Sequence, residues 1–218
     1  MRDIAIFGAG GLGKEVACLI NRINSAYDDA KDRWQLIRFF DNEVKKGTQI
    51  SHFGKVLGGM DELNRWEPPL ALAIAIGAPF SRKSVYQQID NDKIYYPNVI
   101  APDFTMADSI SFRIGEGNII QGGCFVSCDV VLGSFNILNG SVVVGHDSEI
   151  GNYNVIMPNI RISGEVSIGN DNLFGVGSIV LQQLTVGNGV VLAAGAVLMN
   201  SPKDGCTYIG NPARRFKY

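Results

Sequence analysis

Apolar and polar residues follow two different rules along this chain, and the changeover falls near residue 97. Before it, short apolar runs alternate with stretches whose apolar residues recur at helical spacing. "DIAIF" predicts a strand, "GAGGLG" a turn and "KEVACLINRI" a helix. "QLIRFFD" then predicts a second strand, "GGMDEL" a short helix, "LALAIAIG" a buried strand and "PFSRKSVYQQI" a further helix. Alternation of this kind predicts a small parallel α/β domain of Rossmann-like plan over residues 1–96.

Beyond residue 97 the period is six. From Ile114 to Leu198 every sixth residue is Leu, Ile, Val or Phe, fifteen hits without a miss. At a background of roughly 30% for these residues, one register does this by chance about once in 10⁸. Ile100, Met106 and Phe112 keep the same step before two extra residues shift the phase. Helical solenoids need units of about 20 to 50 residues, so a period of six excludes them. It predicts a parallel β-helix over residues 97–218, with three short strands per coil and one inward aliphatic residue per strand. Glycine follows the apolar residue at Gly115, Gly133, Gly145, Gly151, Gly169, Gly175 and Gly187. These glycines are expected at corners, for positive φ or for close approach of backbone.

Composition narrows the classes. The chain has 218 residues, 46% of them hydrophobic and 18% charged, as expected of a globular protein. Its net charge of -2 gives no support to nucleic-acid or membrane-surface binding. No apolar run reaches the roughly 18 residues that cross a bilayer. "MRDIAIFGAGG" turns glycine-rich too soon for a signal peptide and is expected to be strand and turn. Cys18, Cys124, Cys128 and Cys206 are expected to be reduced thiols in a cytoplasmic protein. The C-x3-C pair has no second pair or nearby histidine, so no metal is expected.

Two stretches carry candidate chemistry. In "ILNGSVVVGHDSEIG" stands His146, one of only two histidines, followed by Asp147. His146 comes two residues after the inward Val144, near a corner where a side chain can point outward. An imidazole there suits general-base removal of a proton from an acceptor. Asp147 either orients the ring and stabilises the imidazolium or, being its neighbour in sequence, does not meet it. No serine elbow or reactive-cysteine context is present, so direct transfer is expected rather than a covalent acyl-enzyme. The second stretch is "GAGGLG", where Gly8, Gly10 and Gly13, with Gly11 and Leu12 between them, complete G-x-G-x-x-G between strand and helix. Such glycines let backbone amides approach a phosphate. Asp41 and Asn42 end the next strand; Asp41 binds either the ribose of NAD or the nucleotide of a sugar donor. The domain is about half a complete dinucleotide fold, which favours the nucleotide sugar. Lys14 is either a phosphate partner or a solvated first-turn residue.

Taken together, "IFGAGGLGKEV", "FFDNE", "VLGGMDEL", "AIAIGAPFSRK", "ILNGSVVVGHDSEIG" and "AAGAVLMN…IGNPARR" resemble the sialic acid O-acetyltransferase family across nearly the whole chain. The pattern is most similar to its branch of nucleotide-linked 4-amino-sugar N-acetyltransferases. The resemblance implies a left-handed β-helix, acetyl-CoA as co-substrate, and a homotrimer with active sites between subunits. It further implies that Asn139 helps position the amine. Gly164, Gly175, Val176, Ala194 and Pro212 match positions along the CoA. Arg214 and Arg215 are either partners of the CoA phosphates or a solvated basic tail. The chain departs from the family at Leu12 and Val155, where histidines are usual, and at Asp147, where glutamate is frequent. The expected function is acetyl transfer to the amine of a nucleotide-linked amino sugar for surface glycans. O-acetylation of sialic acid or another sugar is the alternative, followed by a non-catalytic trimeric scaffold; an NAD-dependent role ranks last.

Overall fold

The computed structural model describes residues 2–26, 29 and 33–217. The chain divides into two compact units, Met1–Pro102 and Asp103–Tyr218. The change of pattern near residue 97 lies just ahead of that division.

The first unit is an α/β sandwich built of β1 (Arg2–Phe7), α1 (Gly11–Ala26), β2 (Trp34–Phe40), β3 (Gln49–Ile50), β4 (Gly54–Gly58), α2 (Met60–Asn64), β5 (Leu70–Ile74), α3 (Pro79–Gln88) and β6 (Ile94–Tyr95). The sheet order is β3-β4-β2-β1-β5-β6. Every pairing is parallel except β3 with β4, a hairpin that the apolar pattern did not announce because β3 has two residues. All five residues of β5 are buried, as both faces of a central parallel strand require. Helix α1 buries Val16, Ala17, Leu19, Ile20 and Ile23, a single stripe at helical spacing. It begins three residues before the expected "KEVACLINRI", so Gly11 and Gly13 belong to the helix.

The second unit is a left-handed parallel β-helix. Each two-residue strand pairs in parallel with the strand eighteen residues on, as in Ile137–Leu138 with Val155–Ile156 and Val143–Val144 with Arg161–Ile162. Three hexads therefore close one coil. The first face carries Ile137–Leu138 and its copies, the second Val143–Val144, the third Glu149–Ile150. From Ile120 to Leu198 every predicted inward residue is buried; Ile114, in the first hexad of the run, is half-buried. Each aliphatic side chain so enclosed contributes about 1.5–3 kcal/mol.

Three sequence expectations need correction. First, a hexad buries two residues, not one: the position two before the inward residue is also enclosed, as at Cys124, Val130, Asn136, Val142, Ser148, Asn154 and Ile160. In a pleated strand, residues two apart point the same way. Second, positive φ falls three residues after the inward residue, not one. Every sixth residue from Gly117 to Gly195 has φ between 54° and 72°, and nine of those fourteen are not glycine. The glycines at the earlier position answer to close approach: a Cβ on Gly145 would lie 2.5 Å from the backbone nitrogen of Gly164 in the next coil. Third, Phe112 does not keep the step. Strands Thr105–Met106 and Arg113–Ile114 are joined by a corner two residues longer than the rest.

The doubly buried column on the edge between the third and first faces is polar. Asn118, Asn136, Asn154 and Asn172 recur every eighteen residues, each fully buried. Each Nδ2 from Asn136 onward donates to the Oδ1 of the previous asparagine, at 3.1, 3.0 and 2.9 Å. Its second hydrogen goes to a glycine carbonyl, that of Gly151 or Gly169 or Gly187, at 2.9 Å. Each Oδ1 also accepts the next coil's backbone N–H. Every hydrogen-bonding group of Asn136 and Asn154 is thus satisfied without water. A second ladder runs beside it through Asn152, Asn170 and Asn188.

Candidate active site

His146 lies on the edge between the second and third faces. Val144 is enclosed, Gly145 lets the next coil approach, and His146 turns outward with 53% of its side chain exposed. Its backbone is fixed from two sides. The His146 carbonyl accepts the Glu165 N–H at 2.8 Å, and the buried Ser148 hydroxyl lies 3.3 Å from the same carbonyl and 3.2 Å from that of Ser163.

Asp147 is the left-handed corner residue, with φ of 54°. That conformation brings its carboxylate beside the ring, and Asp147 Oδ2 lies 2.7 Å from His146 Nδ1. Sequence neighbours therefore do meet here. A carboxylate can only accept, so in the neutral ring Nδ1 carries the proton and Nε2 presents a lone pair. Nε2 is directed over Gly164, one coil on: a Cβ at that glycine would lie 2.5 Å from it. The backbone N–H of Gly164 meets no hydrogen-bond acceptor among the described residues. Beside Asp147, a depression on the third face is lined by Ser111, Arg113, Asp129, Val131, Asp147 and Glu149.

The other predicted residues divide between places. Asn139 stands on the edge between the first and second faces, half-buried, its Oδ1 accepting the Gly140 N–H at 3.0 Å. Within one chain it shares no edge with His146. Val176 and Ala194, both exposed, share the edge of Asn139 on successive coils, the Gly195 N–H donating to the Val176 carbonyl. Gly175 permits coil contact, since its Cβ would meet Ala194 nitrogen at 2.5 Å. Arg214 and Arg215 form an exposed strand antiparallel to Thr207–Ile209, after the cis Asn211–Pro212 peptide.

In the α/β unit, Gly8 has φ of 112° and Gly13 packs against its carbonyl, so both serve the strand-to-helix turn. Gly10 and Gly11 face open space, where backbone can be approached from outside. Lys14 is exposed and Leu12 half-buried. Asp41 clasps the loops together: Oδ2 accepts the Ala9 N–H at 2.7 Å, and Oδ1 accepts those of Glu43 and Val44 at 2.8 and 3.0 Å. Asn42 Oδ1 accepts the Met60 N–H at 2.9 Å, and both residues line a polar cavity with Lys45, Lys46 and Gly59.

Val155 is buried on the first face, and Leu12 offers no ring nitrogen, so neither replaces a histidine's chemistry. Cys124 is enclosed in the coil, where burial pushes its thiol up to about 11. All four cysteines are free. Among the described residues no cluster of acidic, histidine or cysteine side chains is arranged to hold a metal, and no helix is long and apolar enough to cross a membrane. Sequence reasoning missed Ser148 and the contact of the ring with Gly164. A search at step eighteen, the coil repeat, pairs 146 with 164.

Residues 3–89 match the family model of the PglD N-terminal domain. Over 99% of both chains, the protein is similar to the acetyltransferase domain of PglB from Neisseria gonorrhoeae FA1090 in complex with acetyl coenzyme A, at 30% identity and a TM-score of 0.85. WeeI from Acinetobacter baumannii AYE is 26% identical over 99% of this chain and 100% of that one, with a TM-score of 0.85. Perosamine N-acetyltransferase from Caulobacter crescentus, in complex with CoA and GDP-perosamine, shares the fold at 24% identity over 100% and 98% of the two chains, with a TM-score of 0.87. No curated protein gives a significant match.

Proposed function

This chain belongs to the sialic acid O-acetyltransferase family, in the branch of nucleotide-linked amino-sugar N-acetyltransferases, and we propose that it transfers acetyl from acetyl-CoA to the amine of such a sugar. The observation that carries the chemistry is the 2.7 Å contact of Asp147 with His146 Nδ1, which in the neutral ring leaves Nε2 as the basic nitrogen of a side chain 53% exposed. Nε2 takes a proton from the acceptor amine as its nitrogen bonds to the thioester carbon. The tetrahedral oxyanion then collapses, the carbon–sulfur bond breaks, and the imidazolium returns the proton to the departing CoA sulfur. The unpaired Gly164 N–H is suited to the oxyanion. Asp147 holds the ring and stabilises its charged form.

Acetyl-CoA is assigned to Gly164, Gly175, Val176 and Ala194 and to Pro212, Arg214 and Arg215. Because Gly164 and Val176 occupy different edges of one prism, a single site holding both draws on two copies of the chain. The second face supports this reading in four of its six outward positions: Phe125, Val143, Ile179 and Val197 are apolar and half-buried, while Arg161, between Val143 and Ile179, and Thr105 are exposed. A homotrimer with sites between subunits satisfies both observations. The nucleotide is assigned to the α/β unit, where Gly10 and Gly11 leave the start of α1 open, Lys14 follows in the first turn, and Asn42 adjoins Asp41, whose carboxylate accepts the Ala9 N–H. Four free thiols support a cytoplasmic setting, and the acceptor class supports a role in surface glycan synthesis.

The test is CoA release with UDP-, GDP- and dTDP-linked 4-amino sugars. Turnover of at least one is expected, with mass spectrometry placing the acetyl on nitrogen. Acetyl on oxygen assigns O-acetylation instead, and no turnover despite bound acetyl-CoA removes the acceptor assignment.

A further inference from the structure

Glycine at position 164 has no backbone reason to be there. Its φ lies outside the left-handed region, unlike that of Glu165 beside it. Nor does coil stacking demand it. Gly145, Gly151 and Gly169 stand one place earlier in the hexad, where a Cβ would strike the backbone of the following coil. Gly164 stands at the outward position that His146 itself holds. Other hexads place Glu116, Ser134, Asn152, Pro158, Val176 and Gln182 there, and Gly122 and Gly140 elsewhere in the chain, so the position does not itself require glycine. What a Cβ on Gly164 would meet is the ring: Nε2 at 2.5 Å, Cε1 at 2.7 Å and Cδ2 at 2.9 Å.

The geometry points to Gly164 as a positioning residue, whose missing side chain forms the recess in which the His146 ring rests. Asp147 fixes one end of the imidazole by Nδ1, and the recess fixes its plane, so Nε2 can occupy one place only. A methyl group at 164 displaces the ring, because the ring is a hinged side chain and the coil is not. A shift of about 1 Å in a reacting group costs about 10²-fold in rate. This role rests on the acetyl-transfer reading for its effect on rate, whereas the recess itself is a property of the ligand-free chain.

The experiment separates the two. In a His52→Gln background only the imidazole of His146 remains. Long-range ¹H–¹⁵N correlation spectra of the ligand-free protein then read its tautomer directly. The parent is expected to show protonated Nδ1 and bare Nε2. Gly164→Ala is expected to blur that signature and to lower kcat about 10²-fold with acetyl-CoA and the best nucleotide-linked amino sugar. The melting temperature should stay within about 3 °C. A variant with the parent's spectrum and kcat overturns the assignment. Should Gly164→Ala melt well below the parent, the same change in a His146→Ala background decides. A loss that vanishes without the ring supports the recess; a loss that persists places the clash in the coil and overturns it. A perturbed ring in a protein that acetylates no acceptor overturns the activity and leaves the recess standing.

Discussion

Along the edge joining the third and first faces, Asn118, Asn136, Asn154 and Asn172 are fully buried and bond one another, whereas on the edge joining the second and third faces His146 and Asp147 stand more than half exposed with a single contact between them. Both edges are made of the same hexad, with the same left-handed corner three residues after the inward one. The polar residues differ in what is left over. Asn136 and Asn154 have no unused donor or acceptor, so the column serves the fold. The histidine keeps one nitrogen lone pair facing outward, so it can serve a reaction.

The sharpest way to break this comparison is His146→Ala. It should lower kcat for an amine acceptor by roughly 10²- to 10⁴-fold and leave the thermal midpoint near its parent value. A large melting loss would mean that this edge, too, is structural. Asn154→Ala is the reverse experiment. It strips partners from Asn136 Oδ1 and from the backbone and side chain of Asn172, all buried. Urea titration should show a loss of about 2–4 kcal/mol, with kcat of the folded fraction unchanged. A loss below about 0.5 kcal/mol would show that the ladder is incidental. Smaller is the expected effect of Asp147→Asn, about 10- to 10²-fold in kcat. An amide can donate to Nδ1 and so place the proton on Nε2, the wrong nitrogen for a base. An unchanged pH–rate profile would contradict it.

The mildest effect concerns Cys124, the one thiol among the enclosed positions. Burial raises its pKa from 9.0 to about 11, so the folded state favours the neutral thiol. The stability this gives is complete below pH 9 and is lost as pH rises through about 11. Cys124→Ala should flatten that alkaline decline in a denaturation series; an equal decline in both proteins would assign it to other groups.

The hexad was legible in the sequence because the residue that ends each short strand stacks on its own copies, and from Ile120 to Leu198 that residue is always aliphatic or aromatic. The corner position was not. Its left-handed residues include Asp129, Phe135, Ser141, Asp147, Tyr153 and Asn159, which share a φ and no chemistry. The asparagine column was present at step eighteen, yet a polar residue beside a glycine reads as surface turn until the coil length is known. His146 was legible through scarcity and neighbours. Its contact with Gly164 was not, since a missing side chain leaves no pattern of its own. Asp41 was found for its place at a strand end, and the structure shows all three of its backbone partners lying in the loops it joins.

The eighteen-residue register has a bearing on how such a chain can change length. Removing or duplicating one whole coil slides everything downstream along the prism axis and leaves each side chain's azimuth as it was. Six residues instead rotate the remainder by a third of a revolution, carrying an imidazole off its edge while every buried aliphatic still finds a seat. The aliphatic column would tolerate either change, but the asparagine ladder and the imidazole both keep their register only in steps of eighteen. Chains of this kind can therefore drift in length by whole turns and keep their chemistry, whereas a single-strand slip would break the buried ladder and turn the reactive ring the wrong way.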